Sequence, residues 1–383
     1  MQTNEVWNRM RSHFIGHIAS AESRNAWLDV CRSLAIILVL LSHGRHFLTP
    51  VWEWAAVFRI GGFLGVELFF VLSGFLIGGI VARDFERAVA GRGWLGRFFM
   101  RRWLRTLPNY YLFLGINAVL VVAEVVPGRL RDLLPFLFFG QNLAWPGPAI
   151  FGEAWSLAVE EVFYMVFPLC LYWFGKSDQK RESVFVSVVV LLLVIPLLLR
   201  ALIVLAAGPT WDEGVRKVVV FRLDALMVGV LASLLVRRAE LITRYSVCRL
   251  VAASSILLGA SIVAFFSMEK SLNHSVFARV WLFPLVSSGC VTLLLSGLMY
   301  GRWFHWLKVG ADRCARWSYA LYLSHMVVFH LITHFCDVTT VSAWQAAANW
   351  GVFVGASFCV AALVERFFER PILRWRETIQ ILS

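Results

Sequence analysis

Ten apolar stretches, each close to the length that crosses a bilayer, divide this chain: 28–48, 59–82, 104–126, 155–174, 184–207, 217–236, 250–268, 280–300, 317–336 and 346–366. A spanning helix needs about 20 such residues. Lysine and arginine are shared out unevenly among the connections. With the N-terminus in the cytoplasm, the inner connections hold 25 of them, and the outer ones hold six: Arg129, Arg131, Arg216, Lys217, Lys270 and Arg279. The excess of positive charge on one side sets orientation. The chain is therefore expected to be an all-α polytopic membrane protein of about ten transmembrane helices, with both termini cytoplasmic. Its composition, 59% apolar against 16% charged, agrees.

The net charge of +12 then reads as a topology signal. It suits the lipid bilayer and a phosphorylated donor as partners, not nucleic acid. Seven cysteines without a C-x-x-C pair argue against a zinc site or a disulfide framework, and no metal is expected. No internal repeat or linker is visible, so residues 1–383 read as one domain, with cytoplasmic segments at 1–26 and 367–383. The first apolar run lacks a small-residue cleavage site and reads as a retained helix. Pro127 to Glu153, with the aromatics, Gly147 and three prolines of its PFLFFGQNLAWPGPAIFGE stretch, reads as a structured interfacial or re-entrant loop. The basic stretch 83–105 is expected to lie along the headgroups.

Ionisable residues inside the apolar stretches are the functional candidates, because burying them in lipid is costly. WLDVCRSLAIILVLLSH (27–43) carries Arg32 and His43 eleven residues apart. At 100° and 1.5 Å per residue they share one helix face, roughly 16 Å apart. RFFMRRWLRTLPNYY (97–111) clusters Arg101, Arg102 and Arg105, whose guanidinium groups could clamp phosphates or simply obey the positive-inside rule. GVELFFVLSGFL (65–76) places Glu67 within a helix, and Ser73 and Gly74 allow close helix approach. AWSLAVEEVFYMVFP (154–168) offers Glu160 and Glu161, which point about 100° apart, so at most one need face a polar interior. FRLDALMVG (221–229) puts Arg222 and Asp224 in the sixth helix, too close in sequence to face each other, so each needs a partner elsewhere. SYALYLSH (318–325) adds Tyr322 and His325.

Taken in order, with ERPILR at 369–374, these elements resemble the acyltransferase 3 family of membrane-embedded acyltransferases over nearly the whole chain. The resemblance implies transfer of an acyl group, commonly acetyl, from cytoplasmic acyl-CoA to a hydroxyl of a carbohydrate or lipid-linked glycan. It implies a multi-pass protein of the plasma (bacterial inner) membrane. The carried-over roles are His43 in catalysis, Arg32 as its obligatory companion, and Arg102 with Arg105 at the donor. Glu160 joins the catalytic candidates, Arg101 the donor site, and Glu67, Ser73, Arg222, Asp224, Tyr322 and His325 a substrate channel. Chemistry agrees, since histidine is suited to take a hydroxyl proton near neutrality. Whether His43 is a base or briefly carries the acyl group stays open. Arg32, Tyr322 and Ser73 are candidate oxyanion donors. Two departures stand out: Glu67 where the family often has Asp, and no hydrolase-like SGNH domain after the last helix, so the membrane domain is expected to serve the acceptor itself.

Two rival classes were weighed. A proton-coupled secondary transporter would also use buried Arg, His, Asp and Glu, but paired halves with broken helices are not visible. A lipid-linked glycosyltransferase would want acidic residues in the first outer loop, which offers only Glu53. If CoA enters from the inner side, its pantetheine arm must run toward His43 between the first, second, fourth and ninth helices. A bulky side chain at Ser73 or Gly74 is expected to block that path.

Overall fold

The computed structural model describes residues 26–87, 93–175, 181–237, 244–300 and 308–382, and all regular structure among them is helical. The long helices are α1 (Ala26–Leu48), α2 (Arg59–Arg87), α3 (Gly93–Val122), α4 (Ala154–Phe174), α5 (Arg181–Ala207), α6 (Leu223–Arg237), α7 (Arg244–Ser267), α8 (Leu282–Tyr300), α9 (Lys308–Phe335) and α10 (Ala343–Val364). A π-helical turn at Glu365–Glu369 joins α10 to α11 (Arg370–Leu382). Each of the ten apolar stretches thus holds a helix. Among the described residues, five segments are long and apolar enough to cross a membrane, at Ala26–Leu48, Glu53–Glu86, Ala154–Phe174, Arg181–Ala207 and Ala343–Arg376. Charged residues dilute α3 and α9, and α6 is short.

The helices pack closely where small residues sit. α2 makes its most extensive packing with α6 and α1, and α9 lies against α1 and α10. At the α2–α6 crossing a Cβ on Gly74 would stand 1.9 Å from the Leu226 carbonyl oxygen, and one on Gly229 would stand 2.3 Å from that of Val71. Only glycine admits such contact between backbones, which is how helices gain packing without a hydrophobic drive in lipid. Gly74 is therefore a packing residue, and a bulky replacement would separate two helices before it blocked any channel. A second apolar cluster surrounds Phe63, whose ring meets Trp211 at 5.2 Å, while Trp211 stacks on Phe283 at 5.7 Å.

Two sequence expectations shift. The basic stretch does not form a separate surface segment: α2 runs on to Arg87 and α3 starts at Gly93, so its described residues prolong two helices. Helical hydrogen bonding continues past the apolar zone, and Arg101 meets Asp84 at 2.9 Å across the two ends. Arg222 is not in a helix; it follows a 3-10 turn at Val219–Phe221, and α6 begins one residue later. The Phe221 carbonyl there accepts from Arg200 Nη1 at 2.6 Å, which draws the turn out of helical pairing. Beyond α10, the segment expected to be cytoplasmic from 367 is helical over its described residues, a conformation the sequence reading had not specified. The start of the expected 1–26 segment and Arg92 lie outside the described residues.

The loop between α3 and α4 is structured, as expected. A 3-10 helix at Leu130–Phe138 is held by Tyr110, whose hydroxyl donates to the Phe136 carbonyl at 2.8 Å, and by Tyr111, which donates to Leu137 at 2.9 Å. Further on, the Asn142 carbonyl accepts from Val219 N–H at 3.0 Å, tying this loop to the turn before α6.

Candidate active site

Arg32 and His43 do share a face of α1, but they open onto different cavities. The smaller cavity, about 120 Å³, is lined by Arg32, Ser73, Arg102, Arg105, Glu160, Tyr164, Tyr319 and Tyr322, among others. The larger, about 740 Å³, is lined by His43, Arg45, Gln141, Asn142, Glu153, Trp155, Arg216, Lys217 and Tyr322, among others. Val66 and Tyr322 belong to both. Tyr322 is fixed between them: its hydroxyl donates to the Glu153 carbonyl at 3.1 Å and lies 2.6 Å from Ser156 Oγ. Arg32, carried over as the companion of His43 from about three turns away, thus lines the other cavity, and it pairs with Asp29 at 3.1 Å.

The smaller cavity is suited to an anion. α3 presents Arg102 and Arg105 three residues apart on one face. Arg102 lies over the Tyr164 ring at 4.4 Å, and its buried Nε has no hydrogen-bond partner. Among the described residues, neither Arg102 nor Arg105 forms an ion pair. The carboxylate in the same cavity is already engaged, with Glu160 accepting from Ser73 Oγ at 2.9 Å and from Tyr164 at 3.0 Å. Arg101 does not join them. Its side chain is directed to Asp84 and is 41% exposed, because one step along a helix turns a residue by 100°.

The larger cavity holds a histidine whose protons can be assigned. His325, fully buried on α9, places Nδ1 3.1 Å from the Leu321 carbonyl and Nε2 3.1 Å from His43 Nδ1. A carbonyl only accepts, so Nδ1 of His325 carries the hydrogen, and its Nε2 in the neutral ring accepts. His43 must then donate from Nδ1, which leaves a lone pair on its Nε2. Backbone carbonyl, His325 and His43 form a chain that fixes the tautomer of the ring in the cavity. Nearby, in the π-helical turn at Trp211–Arg216, burial would raise the Asp212 carboxyl, but Arg216 and Lys217 outweigh it and hold it well below the usual carboxylate range.

Glu67, Arg222 and Asp224 line neither cavity, against the expectation that they sit in a substrate channel. Glu67 pairs with Arg222 and accepts from Ser287 Oγ at 2.9 Å, while Asp224 meets Arg200 at 2.9 Å. All four ionic side chains are buried, so each charge is matched inside the bundle. The two partners predicted for Arg222 and Asp224 are therefore present, in a structural cluster. The sequence singled out neither Gln141, Asn142 nor Glu153, although the proline- and aromatic-rich loop that carries the first two had signalled local order. Among the described residues, no group of three or more His, Cys, Asp or Glu side chains is placed to hold a metal.

Comparison with known proteins points one way. A peptidoglycan O-acetyltransferase, OatA, of Listeria monocytogenes serovar 1/2a is 26% identical over 371 residues, covering 90% of this chain and 55% of that protein. A putative peptidoglycan O-acetyltransferase, YrhL, of Bacillus subtilis (strain 168) is 29% identical over 43% of the chain and 26% of its own length. A putative O-acetyltransferase of Staphylococcus aureus (strain COL) is 28% identical over 41% of the chain and 26% of its own length. The chain thus spans about half the length of the first relative and about a quarter of the other two. No solved structure matches it. The family model described as an acyltransferase domain matches residues 25–366, which is most of the chain, and the protein belongs to the acyltransferase 3 family.

Proposed function

We propose that the chain is an integral membrane O-acyltransferase that moves an acyl group, acetyl in the simplest case, from acyl-CoA to a hydroxyl of a carbohydrate or lipid-linked glycan. In this reading residues 1–383 form one catalytic domain crossing the bacterial inner membrane about ten times, with both termini cytoplasmic. The arginine cavity then faces the cytoplasm, where CoA is found, and the histidine cavity faces outward. Arg102 and Arg105 bind the CoA phosphates, since neither guanidinium group is within ion-pair distance of a carboxylate among the described residues. The donor's acyl-pantetheine end reaches past Tyr322 toward His43.

The observation that carries the reading is the hydrogen-bond chain from the Leu321 carbonyl through His325 to His43. It leaves His43 Nε2 free to take the proton of an acceptor hydroxyl as its oxygen attacks the thioester carbon. The tetrahedral oxyanion collapses, the C–S bond breaks, and the proton on His43 passes to the departing thiolate. The same nitrogen could instead carry the acyl group for one step, with the hydroxyl attacking an acyl-imidazole. The relatives' printed names suggest a cell-wall glycan as acceptor. Labelled acetyl transfer from acetyl-CoA to chitotetraose by the purified protein in detergent tests the assignment. His325→Ala should lose roughly tenfold or more in kcat, because it unlocks the orientation and tautomer of His43. His325→Gln, whose Oε1 can still accept from His43, should recover much of that loss. A wild-type rate in His325→Ala would remove His325 from the mechanism.

A further inference from the structure

Three side chains that line the larger cavity carry buried oxygens without a hydrogen-bond partner. Gln141, Asn142 and Glu153 are only 2%, 1% and 6% exposed. Gln141 Nε2 donates to the Ala154 carbonyl at 3.1 Å, and Asn142 Nδ2 donates to Trp155 at 3.1 Å and to Lys217 at 2.5 Å. Because carbonyls only accept, both amide orientations are fixed. Gln141 Oε1, Asn142 Oδ1 and Glu153 Oε1 remain buried and without a partner. An orphaned buried acceptor is costly, and native proteins rarely keep one without a use. Here three belong to one cavity, anchored together at the start of α4. The Glu153 carbonyl, held by Tyr322, ties this wall to the boundary with the smaller cavity.

We propose that Gln141, Asn142 and Glu153 form the subsite that recognises the acceptor, taking an uncharged, hydroxyl-rich pyranose whose O–H groups donate to these three oxygens. The inference rests on the reading that the larger cavity receives the acceptor. Hydroxyl groups suit the wall because they bring donors. A carboxylate or phosphate brings none, and burial, which pushes the Glu153 carboxyl up to about 8, keeps this wall from offering charge in place of acceptors. A pyranose ring offers several O–H groups at fixed angles, matching two amide oxygens whose orientations are fixed by their own donated bonds. The wall selects and orients, whereas His43 performs the proton transfer.

Equilibrium binding in detergent, without donor or turnover, tests this. The probes are cellotetraose, chitotetraose and their per-O-methylated forms, measured by titration calorimetry. The wild-type protein should bind at least one of the free oligosaccharides, and methylation should weaken that binding by about tenfold or more, the size expected for lost hydrogen bonds to buried groups. Glu153→Leu should weaken it to a similar degree while keeping the wild-type melting profile, and Gln141→Met should weaken it likewise with a lowered melting temperature, because it also removes the bond to the Ala154 carbonyl. Failure of both free sugars to bind, indifference to methylation, or wild-type affinity in the folded variants would each overturn the subsite. Should a variant unfold, the methylated probes on wild-type protein still decide. Absence of acyl transfer would count against the proposed activity alone, since the binding result does not depend on it.

Discussion

The two cavities differ in size, charge and kind of unmet demand. The smaller is narrow and holds two guanidinium groups without ion pairs beside a carboxylate already satisfied by hydroxyls. The larger is roomy and is lined by a tautomer-locked imidazole and by three side chains whose buried oxygens lack hydrogen-bond partners. One asks for an anion and the other for hydroxyl donors. Under the proposed function, their separation by Tyr322 would divide donor binding from proton transfer, so a change in one cavity should alter one kinetic constant and spare the other.

The strongest challenge to that division is His43→Ala. Losing the proton acceptor should lower kcat by about 10²–10⁴-fold. CoA binding, read by equilibrium dialysis, should be retained. A loss that fell on donor affinity instead would merge the two cavities into one functional unit. Next in size is a change in neither cavity. Glu67→Ala strips the partner from a guanidinium with no exposure, and breaking such a buried pair typically costs about 3–5 kcal/mol. Thermal unfolding in detergent should show the drop, and the folded fraction should keep wild-type KM values. A selective rise in either KM with unchanged stability would return Glu67 to a substrate path.

Arg105→Ala and Arg102→Ala sharpen the donor side. A charge-assisted hydrogen bond is worth about 1.5–3 kcal/mol, so the KM for acyl-CoA should rise about tenfold to a hundredfold while kcat at saturation falls less. Unchanged donor dependence in both variants would leave these arginines as topology signals and require a different donor site. Smallest of all is Arg101→Ala. Its ion pair with Asp84 is partly exposed, and such pairs contribute about 0–1 kcal/mol. Stability and donor KM should both stay close to wild type, and a KM rise as large as that of Arg105→Ala would place all three arginines in one site.

Much of the fold was legible because apolarity is local: each stretch of about twenty residues reports its own helix whatever surrounds it. The shared face of Arg32 and His43 was legible for the same reason, since the helical period fixes it. Ambiguity entered wherever neighbours decide. Among Arg101, Arg102 and Arg105, spacing alone left three candidates, and only the packing of α2, α4 and α9 selects two for the cavity. Arg222 looked like part of the sixth helix because its flanks are apolar, but its turn is shaped by Arg200, 22 residues away in sequence. Among the described residues, length and the share of charged residues together separate five long apolar segments from the other helices, a distinction that hydropathy averages over.

The sequence by itself determined the helical class, the positions of the helices, the uneven placement of positive charge and the family. These follow from composition and period, which no tertiary contact can change. Only the tertiary structure decided that Arg32 and His43 serve separate cavities, that Glu67 and Asp224 are spent on Arg222 and Arg200, and that His325 orients His43. Such pairings join residues as far as 282 positions apart. A side chain's role depends on which partners complete its hydrogen bonds and charges, and those partners are chosen by packing.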